Sequence, residues 1–471
     1  MIMGDDMINN LQEEAAGKAS NGCHLVVMPY PAKGHSNPMM NLSKRLASKR
    51  PDILITFVTE DRLGYNSSNS GGNYPANMRF ANIPNDILPS EESHNADTLS
   101  FGKAVMTKLG APFELILDTL QPPVTTILTD ISLSWAVEAG NCRNIPVAAL
   151  WIPSISEFSM QCHLNIFKEK QFSTDLEEHA DYIVDFIPGI SPIRVADLPR
   201  FFLRTGQSVA IDGWTLNLPI SKIQYLVSPS IYELESRVFD FLRAKLNFPI
   251  YPFGPLIPFF ELNNNKTTAS TPDYIQWLDS QPASSVLYIA MGSIVSISSA
   301  QMDEMVAGFK SSGARFLWVG RGNTSRLKDG CGDQGMVVPW CDQLRVLGHP
   351  SVGGYLTHGG LSSILEASIS GVPMLTFPIA GDQFPNCKLV VEDWKVGWRL
   401  RTVVGADKLI TREAIAKTVK KFMDMNDSER KELTKTAKQL QETIKGAAAK
   451  GGSSDANLDA FLKDITQDHA H

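Results

Sequence analysis

Apolar residues in this chain fall into short unbroken runs, separated by stretches in which they recur every three or four positions. The run "CHLVVMPYP" (23–31) predicts a strand buried on both faces. "SNPMMNLSKRLASK" (36–49) predicts a helix: Asn37 can cap it, Pro38 suits the first helical position, and Met40, Leu42 and Leu46 form a stripe. "ILITFVTE" (53–60) is a second strand, so the three make a βαβ unit. The rhythm continues through "VTTILTD", "SWAVEAGNCR", "IPVAALW" and "IQYLVSPSIYELE". It pauses over residues 249–275, a stretch dense in Pro, Asn, Thr and Ser, which reads as a linker. It resumes with "SSVLYIAMGS", "AQMDEMVAGFKSSG", "RFLWVGR", "GGYLTHGG", "SSILEASISG" and "VPMLTFP".

The expected fold class is therefore α/β: two Rossmann-like, doubly wound parallel-sheet domains facing across a cleft. The division expected is a polar leader at 1–21 and an N-terminal domain at 22–248. The linker at 249–275 leads to a C-terminal domain at 276–451. A last helix within 452–471 packs back on the first half. Ligands in such folds bind beyond the C-terminal ends of the strands. The turns there are the places to look for chemistry.

Composition narrows the classes. With 471 residues, 43% of them hydrophobic, the chain can build more than one core, and a formal charge of −7 without basic blocks argues against nucleic-acid binding. No run of 18 apolar residues predicts a membrane span, and the acidic start lacks the form of a signal peptide. Six scattered cysteines (Cys23, Cys142, Cys162, Cys331, Cys341, Cys387) show no CxxC spacing, so reduced thiols and a cytoplasmic location are expected.

Four turns hold candidate chemistry. In "LTHGGLSSILEASISGVP" (356–373), a strand meets a helix N-terminus across two glycines. Such a terminus presents unpaired N–H groups to an anion. Gly359 and Gly360 allow close approach, Ser362 and Ser363 offer hydroxyls, and His358 offers a ring N–H. Glu366 lies on the same helical face and suits two vicinal hydroxyls, as ribose presents. Phosphate beside ribose suggests a nucleotide; an ordinary helix cap with a solvated Glu366 is the plainer alternative. The second turn, at Gly292 and Ser293, follows a strand in the same way. In the first half, His35 is expected in the loop after the first strand, and Asp130 ends a later strand. If those strands lie side by side, the carboxylate fixes the imidazole tautomer and leaves the other nitrogen free to accept a proton.

Taken together, these stretches resemble the plant secondary-product UDP-glycosyltransferases. The segment from Trp340 to Gln383 is similar to the family's signature box, and "MPYPAKGHSNPMMNL", "WLDSQPASSVLYIAMGS", "FLWVGR" and "SSDANLDAFLKDI" extend the likeness from about residue 22 onward. The resemblance implies a GT-B fold and inverting sugar transfer from a UDP-sugar co-substrate to a small acceptor. It implies no other cofactor, no metal and a monomer. By position, Trp340 would stack on uracil, and Cys341 (through its backbone) and Gln343 would contact uracil and ribose. Glu366 would take the ribose hydroxyls. His358, Ser363 and Ser293 would hold the diphosphate, with Gly360 and Leu361 at the same turn. Asp382 and Gln383 would bind sugar hydroxyls, His35 would be the base and Asp130 its partner.

The chain departs from the family pattern at one place. Where the family reads His-Cys-Gly-Trp-Asn-Ser, this sequence reads His358-Gly359-Gly360-Leu361-Ser362-Ser363. Leu361 stands for a Trp bordering the sugar, Ser362 for an Asn that reaches a phosphate oxygen, and the added glycine is expected to loosen the turn. Three readings stay open: a glucosyltransferase with altered donor affinity, use of another UDP-sugar, or a degenerate donor site on a small-molecule binder or non-transferase enzyme. Met106, Phe113, Trp151, Phe158, Phe186, Phe201 and Phe202, some of them expected to be ordinary core, suggest an apolar or phenolic acceptor.

Overall fold

The computed structural model describes residues 22–60, 65, 74–84, 87–88, 98–169, 179–199, 218–258, 271–292, 297–320, 327, 334–401 and 408–467. The strands, in chain order, are β1 (His24–Met28), β2 (Leu54–Glu60), β3 (Met78–Ile83), β4 (Thr126–Asp130), β5 (Val147–Leu150), β6 (Ile183–Val184), β7 (Ile193–Arg194), β8 (Tyr225–Ser228), β9 (Ile250–Pro252), β10 (Val286–Ala290), β11 (Arg315–Val319), β12 (Gly335–Val338), β13 (Val352–Thr357), β14 (Met374–Thr376) and β15 (Gly397–Arg399). One sheet has the order β3-β2-β1-β4-β5-β8-β9, the other β12-β11-β10-β13-β14-β15, and β6 with β7 forms a small antiparallel pair.

Two compact units result: residues 1–150, 217–227 and 458–471 form one, residues 151–216 and 228–457 the other. This partition differs from the sequence division, because 151–216 and 228–248 group with the second unit. The end of the helix Ser453–Gln467 belongs to the first unit, where Asp459 pairs with Lys49 at 2.9 Å and Phe461 packs edge-on to Tyr225.

In the first unit the pairs β2–β3, β1–β2, β1–β4, β4–β5 and β5–β8 are all parallel. The order reverses between β1 and β4, which makes their C-terminal ends the switch point at which doubly wound sheets bind ligands. In the second unit the reversal falls between β10 and β13. Side chains alternate there between two cores: Val286, Tyr288 and Ala290 of β10 join one, Leu287 and Ile289 the other. Both faces of that sheet are thus covered, as a parallel sheet requires.

Two sequence expectations change. The stretch 249–275 is not all linker: it holds β9, with Ile250 and Tyr251 buried, and the start of the helix Asp273–Asp279. Pro252 is tolerated because β9 ends its sheet. The first helix also starts early, at Lys33 instead of Pro38. The Ala32 carbonyl accepts from the backbone N–H of His35 and Ser36 and from the Ser36 hydroxyl, closing a turn ahead of the proline. Pro38 then stands inside the helix and costs it the bond to the Gly34 carbonyl.

Candidate active site

His35 therefore lies in the first turn of the helix Lys33–Lys49, not in a loop. Strands β1 and β4 are adjacent, with Met28 opposite Thr129, so Asp130 ends beside the start of that helix. The His35 Nδ1 is 2.6 Å from Asp130 Oδ2. Asp130 is buried, and its other oxygen accepts from the Ser132 backbone N–H at 2.9 Å. The carboxylate is thus fixed from two sides. The imidazole remains partly exposed, with the Tyr30 ring 5.2 Å away.

In the second unit the register places Ala290 opposite Thr357, so the turns after β10 and β13 emerge together. The His358 imidazole is wedged between them. A Cβ on Gly292 would come within 2.8 Å of its Nε2, and one on Gly360 within 2.7 Å. Burial lowers the pKa of His358 to about 4, opposed in part by the Ala290 carbonyl. The ring is neutral at pH 7 and offers an N–H, not a charge.

Gly360 caps the helix Leu361–Ser370, whose first-turn N–H groups have no side-chain cap. The turn is not loosened by Gly359. Its N–H donates to Thr357 Oγ1, its carbonyl accepts from Asn386 Nδ2, and its φ of +92° is one that only glycine adopts easily. A Cβ there would meet Cys387 Sγ at 2.6 Å. Gly359→Ala should cost about 1–3 kcal/mol from the backbone alone, read as a fall in thermal midpoint. Cys387→Ala in the same chain should recover only the overlap part.

Leu361 is 4% exposed and its side chain packs in a core. Ser362 and Ser363 are half-buried. Ser293 lies outside the described residues, as do Cys331, Phe201 and Phe202. The helix that follows begins at Ser299 with Ser298 as cap.

Glu366 sits one turn along from Ser362 and Ser363. It accepts from Gln343 Nε2 at 2.5 Å, and the same nitrogen reaches Ser363 Oγ at 3.2 Å. The stacked rings of Tyr288 and Tyr355 both direct their hydroxyls to Gln343 Oε1, at 3.1 and 3.3 Å. The Gln343 carboxamide is thereby filled, so it orients Glu366 and Ser363, and a direct bond to a nucleotide needs one of these contacts to open. Burial, chiefly, raises the Glu366 pKa to about 7; Gln343 opposes this and Asp342 adds to it. Cys341 is buried against the Tyr288 hydroxyl, and burial pushes its thiol up to about 11. Trp340, by contrast, is 64% exposed. An exposed indole offers a flat face on which an aromatic ring can stack.

Asp382 and Gln383 begin the helix Gln383–Lys388. Gln383 Oε1 accepts from the backbone N–H groups of Ile379 and Ala380. Asp382 Oδ2 accepts from Asn386 Nδ2, and Asn386 also holds Gly359, so one side chain ties the two turns together. Sequence reading missed Asn386, although its position four residues after Asp382 is the spacing of helical neighbours. It also missed the two tyrosines, which alternate on one face of adjacent strands. Phe113, Trp151 and Phe158 are buried, Phe113 edge-on to Trp135 and Trp151 edge-on to Phe158. All five described cysteines are free thiols.

The chain is a glycosyltransferase by its relatives, and it belongs to the plant UDP-glycosyltransferases. A family model described as UDP-glucoronosyl and UDP-glucosyl transferase matches residues 237–433. UDP-glycosyltransferase 87A1 of Arabidopsis thaliana is 45% identical over 93% of this chain and the whole of the relative, and 87A2 of the same plant is 44% identical over 94% and 97%. Among solved structures, UGT71G1 of Medicago truncatula complexed with UDP-glucose has a TM-score of 0.78 at 26% identity, covering 94% of this chain and 98% of that one. Os79 of O. sativa in complex with UDP has a TM-score of 0.79 at 23% identity, covering 94% and 100%. The fold is GT-B, and the protein is a UDP-dependent glycosyltransferase that moves sugar to an acceptor. No helix among the described residues is long and apolar enough to cross a membrane.

Proposed function

We propose that the protein transfers glucose from UDP-glucose, with inversion, to a hydroxyl of a small apolar or phenolic metabolite. The observation that carries this reading is the 2.6 Å contact between His35 Nδ1 and the buried Asp130 carboxylate. With Nδ1–H donated to Asp130, Nε2 is the basic nitrogen. It takes the acceptor proton as the acceptor oxygen attacks the anomeric carbon, and Asp130 stabilises the imidazolium that forms. Negative charge develops on the departing UDP. The His358 N–H, the free N–H groups at Gly360–Ser362 and the Ser363 hydroxyl are donors suited to it. Trp340 stacks on uracil, Glu366 accepts from the ribose, and Asp382 with the Gln383 amide meets sugar hydroxyls. On this reading the reaction needs no cofactor beyond the UDP-sugar, and a chelator leaves the rate unchanged.

Calorimetric titration with UDP and UDP-glucose, followed by a panel of phenols and alcohols, tests the proposal. Micromolar-to-millimolar donor binding and a β-glucoside product, seen by the anomeric coupling in NMR, are expected. A folded protein that binds no donor at millimolar concentration overturns it. Ser362 is the site of one further expectation. A carboxamide there reaches further than a hydroxyl, so Ser362→Asn should tighten UDP by about ten- to a hundredfold, the worth of a hydrogen bond to a charged group.

A further inference from the structure

The helix Ile155–Cys162 holds polar groups that the site described so far does not use. Its start is anchored firmly. Glu235 Oε1 accepts from the Ser156 backbone N–H at 2.9 Å and from its hydroxyl at 2.7 Å, and Ser154 caps the first turn. From this fixed base project Glu157 and Gln161, four residues apart and so on one helical face. Glu157 is 2% exposed and Gln161 5% exposed. Among the described residues, Glu157 Oε2 has no hydrogen-bond partner, and neither does Gln161 Oε1 or Nε2. Buried polar atoms are nearly always paired, and three unpaired on one face of one short helix need an explanation. Of the two, Glu157 lies close enough to the Asp382 carboxylate to feel its charge.

We propose that Glu157 and Gln161 form a hydroxyl-recognising face beside Asp382, and that alcohol groups of the bound substrates complete their hydrogen bonds. The proposal deepens the reading of Asp382 as a sugar-binding residue and rests on it. Burial, and then the Asp382 charge, raise the Glu157 pKa. Both effects favour the protonated acid, which donates one hydrogen bond and accepts another, as Gln161 does through its amide. An alcohol is the matching partner, since it too both donates and accepts. It can come from the donor hexose or from a second hydroxyl on the acceptor.

The test separates these sources. Glu157→Leu and Gln161→Leu keep approximate size and remove both valences. If the donor hexose is the partner, the variants bind UDP-glucose about tenfold more weakly and UDP itself unchanged, and their preference for UDP-glucose over UDP-xylose narrows. If the acceptor is the partner, its KM rises about tenfold while UDP-glucose affinity holds. Either result supports the face. Glu157→Gln, which preserves a donor and an acceptor, is expected within about threefold of the parent in both measurements; this variant and Gln161→Leu decide the matter if Glu157→Leu fails to fold. Folded leucine variants with both affinities within twofold of the parent overturn the proposal. A parent protein that binds UDP but does not distinguish UDP-glucose from UDP overturns the sugar reading of Asp382 and this inference with it.

Discussion

His35→Ala lowers the turnover of sugar transfer by about 10²–10⁴-fold, the usual worth of a positioned general base, and leaves the affinity for UDP unchanged. The split follows from where the residue stands. His35 and Asp130 both belong to the first unit, at the switch point between β1 and β4, whereas Trp340, Glu366 and His358 belong to the second. Removing the imidazole removes the proton acceptor but touches none of the groups assigned to the nucleotide. Asp130→Asn is the companion measurement. The amide keeps the shape of the carboxylate and its place against the Ser132 N–H, but no longer stabilises an imidazolium. Its loss should fall below that of His35→Ala and should not add to it, because the two act as one device. Steady-state kinetics with a phenolic acceptor, beside calorimetry with UDP, give both numbers. Turnover within threefold of the parent after His35→Ala would remove the base from this assignment.

The legible part of the sequence was the part governed by burial on two faces. Runs such as "CHLVVMPYP" and "SSVLYIAMGS" are central strands, and a central strand of a parallel sheet has nowhere to place a polar residue. Edge strands obey no such rule. β3, β12 and β15 end their sheets or lie near the end, carry partly exposed positions, and escaped notice for that reason. β9 was hidden among prolines that only an edge tolerates. The turn residues were legible in kind. His35 and Asp130 could be placed after two strands, but their meeting depended on β1 and β4 being neighbours, which is a matter of strand order and not of local pattern. The connecting side chains were the least legible. Asn386, Tyr288 and Tyr355 act by reaching across between elements, and nothing in their own neighbourhoods marks that. Leu361 shows the opposite failing: a substitution conspicuous against the family pattern proves to be a core residue, whose side chain packs away among Ile364, Leu365 and their neighbours.

Binding of UDP-glucose should strengthen by about tenfold between pH 6 and pH 8, and Glu366→Gln should abolish that dependence. Ribose hydroxyls donate, so the form of Glu366 that binds them is the carboxylate. With a pKa of about 7, roughly a tenth of the free protein is ionised at pH 6 and about nine-tenths at pH 8. Of the groups assigned to the nucleotide, His358 is neutral above about 4 and the Cys341 thiol ionises only near 11. UDP-glucose is the proper ligand because its diphosphate diester does not titrate there, as the terminal phosphate of UDP does. Glu366→Gln should also weaken binding at pH 8 by about ten- to a hundredfold, the range for losing a hydrogen bond to a charged group. The same shift acts on the unliganded protein with the opposite sign. Glu366 holds its proton up to about pH 7 when folded but releases it near the ordinary 4.5 when unfolded. The native state therefore binds more protons between those values, and its stability falls as pH rises through them. Glu366→Gln should flatten this fall, and thermal midpoints measured from pH 5 to pH 8 would show it. A donor affinity independent of pH in the parent protein would mean that the carboxylate does not receive the ribose.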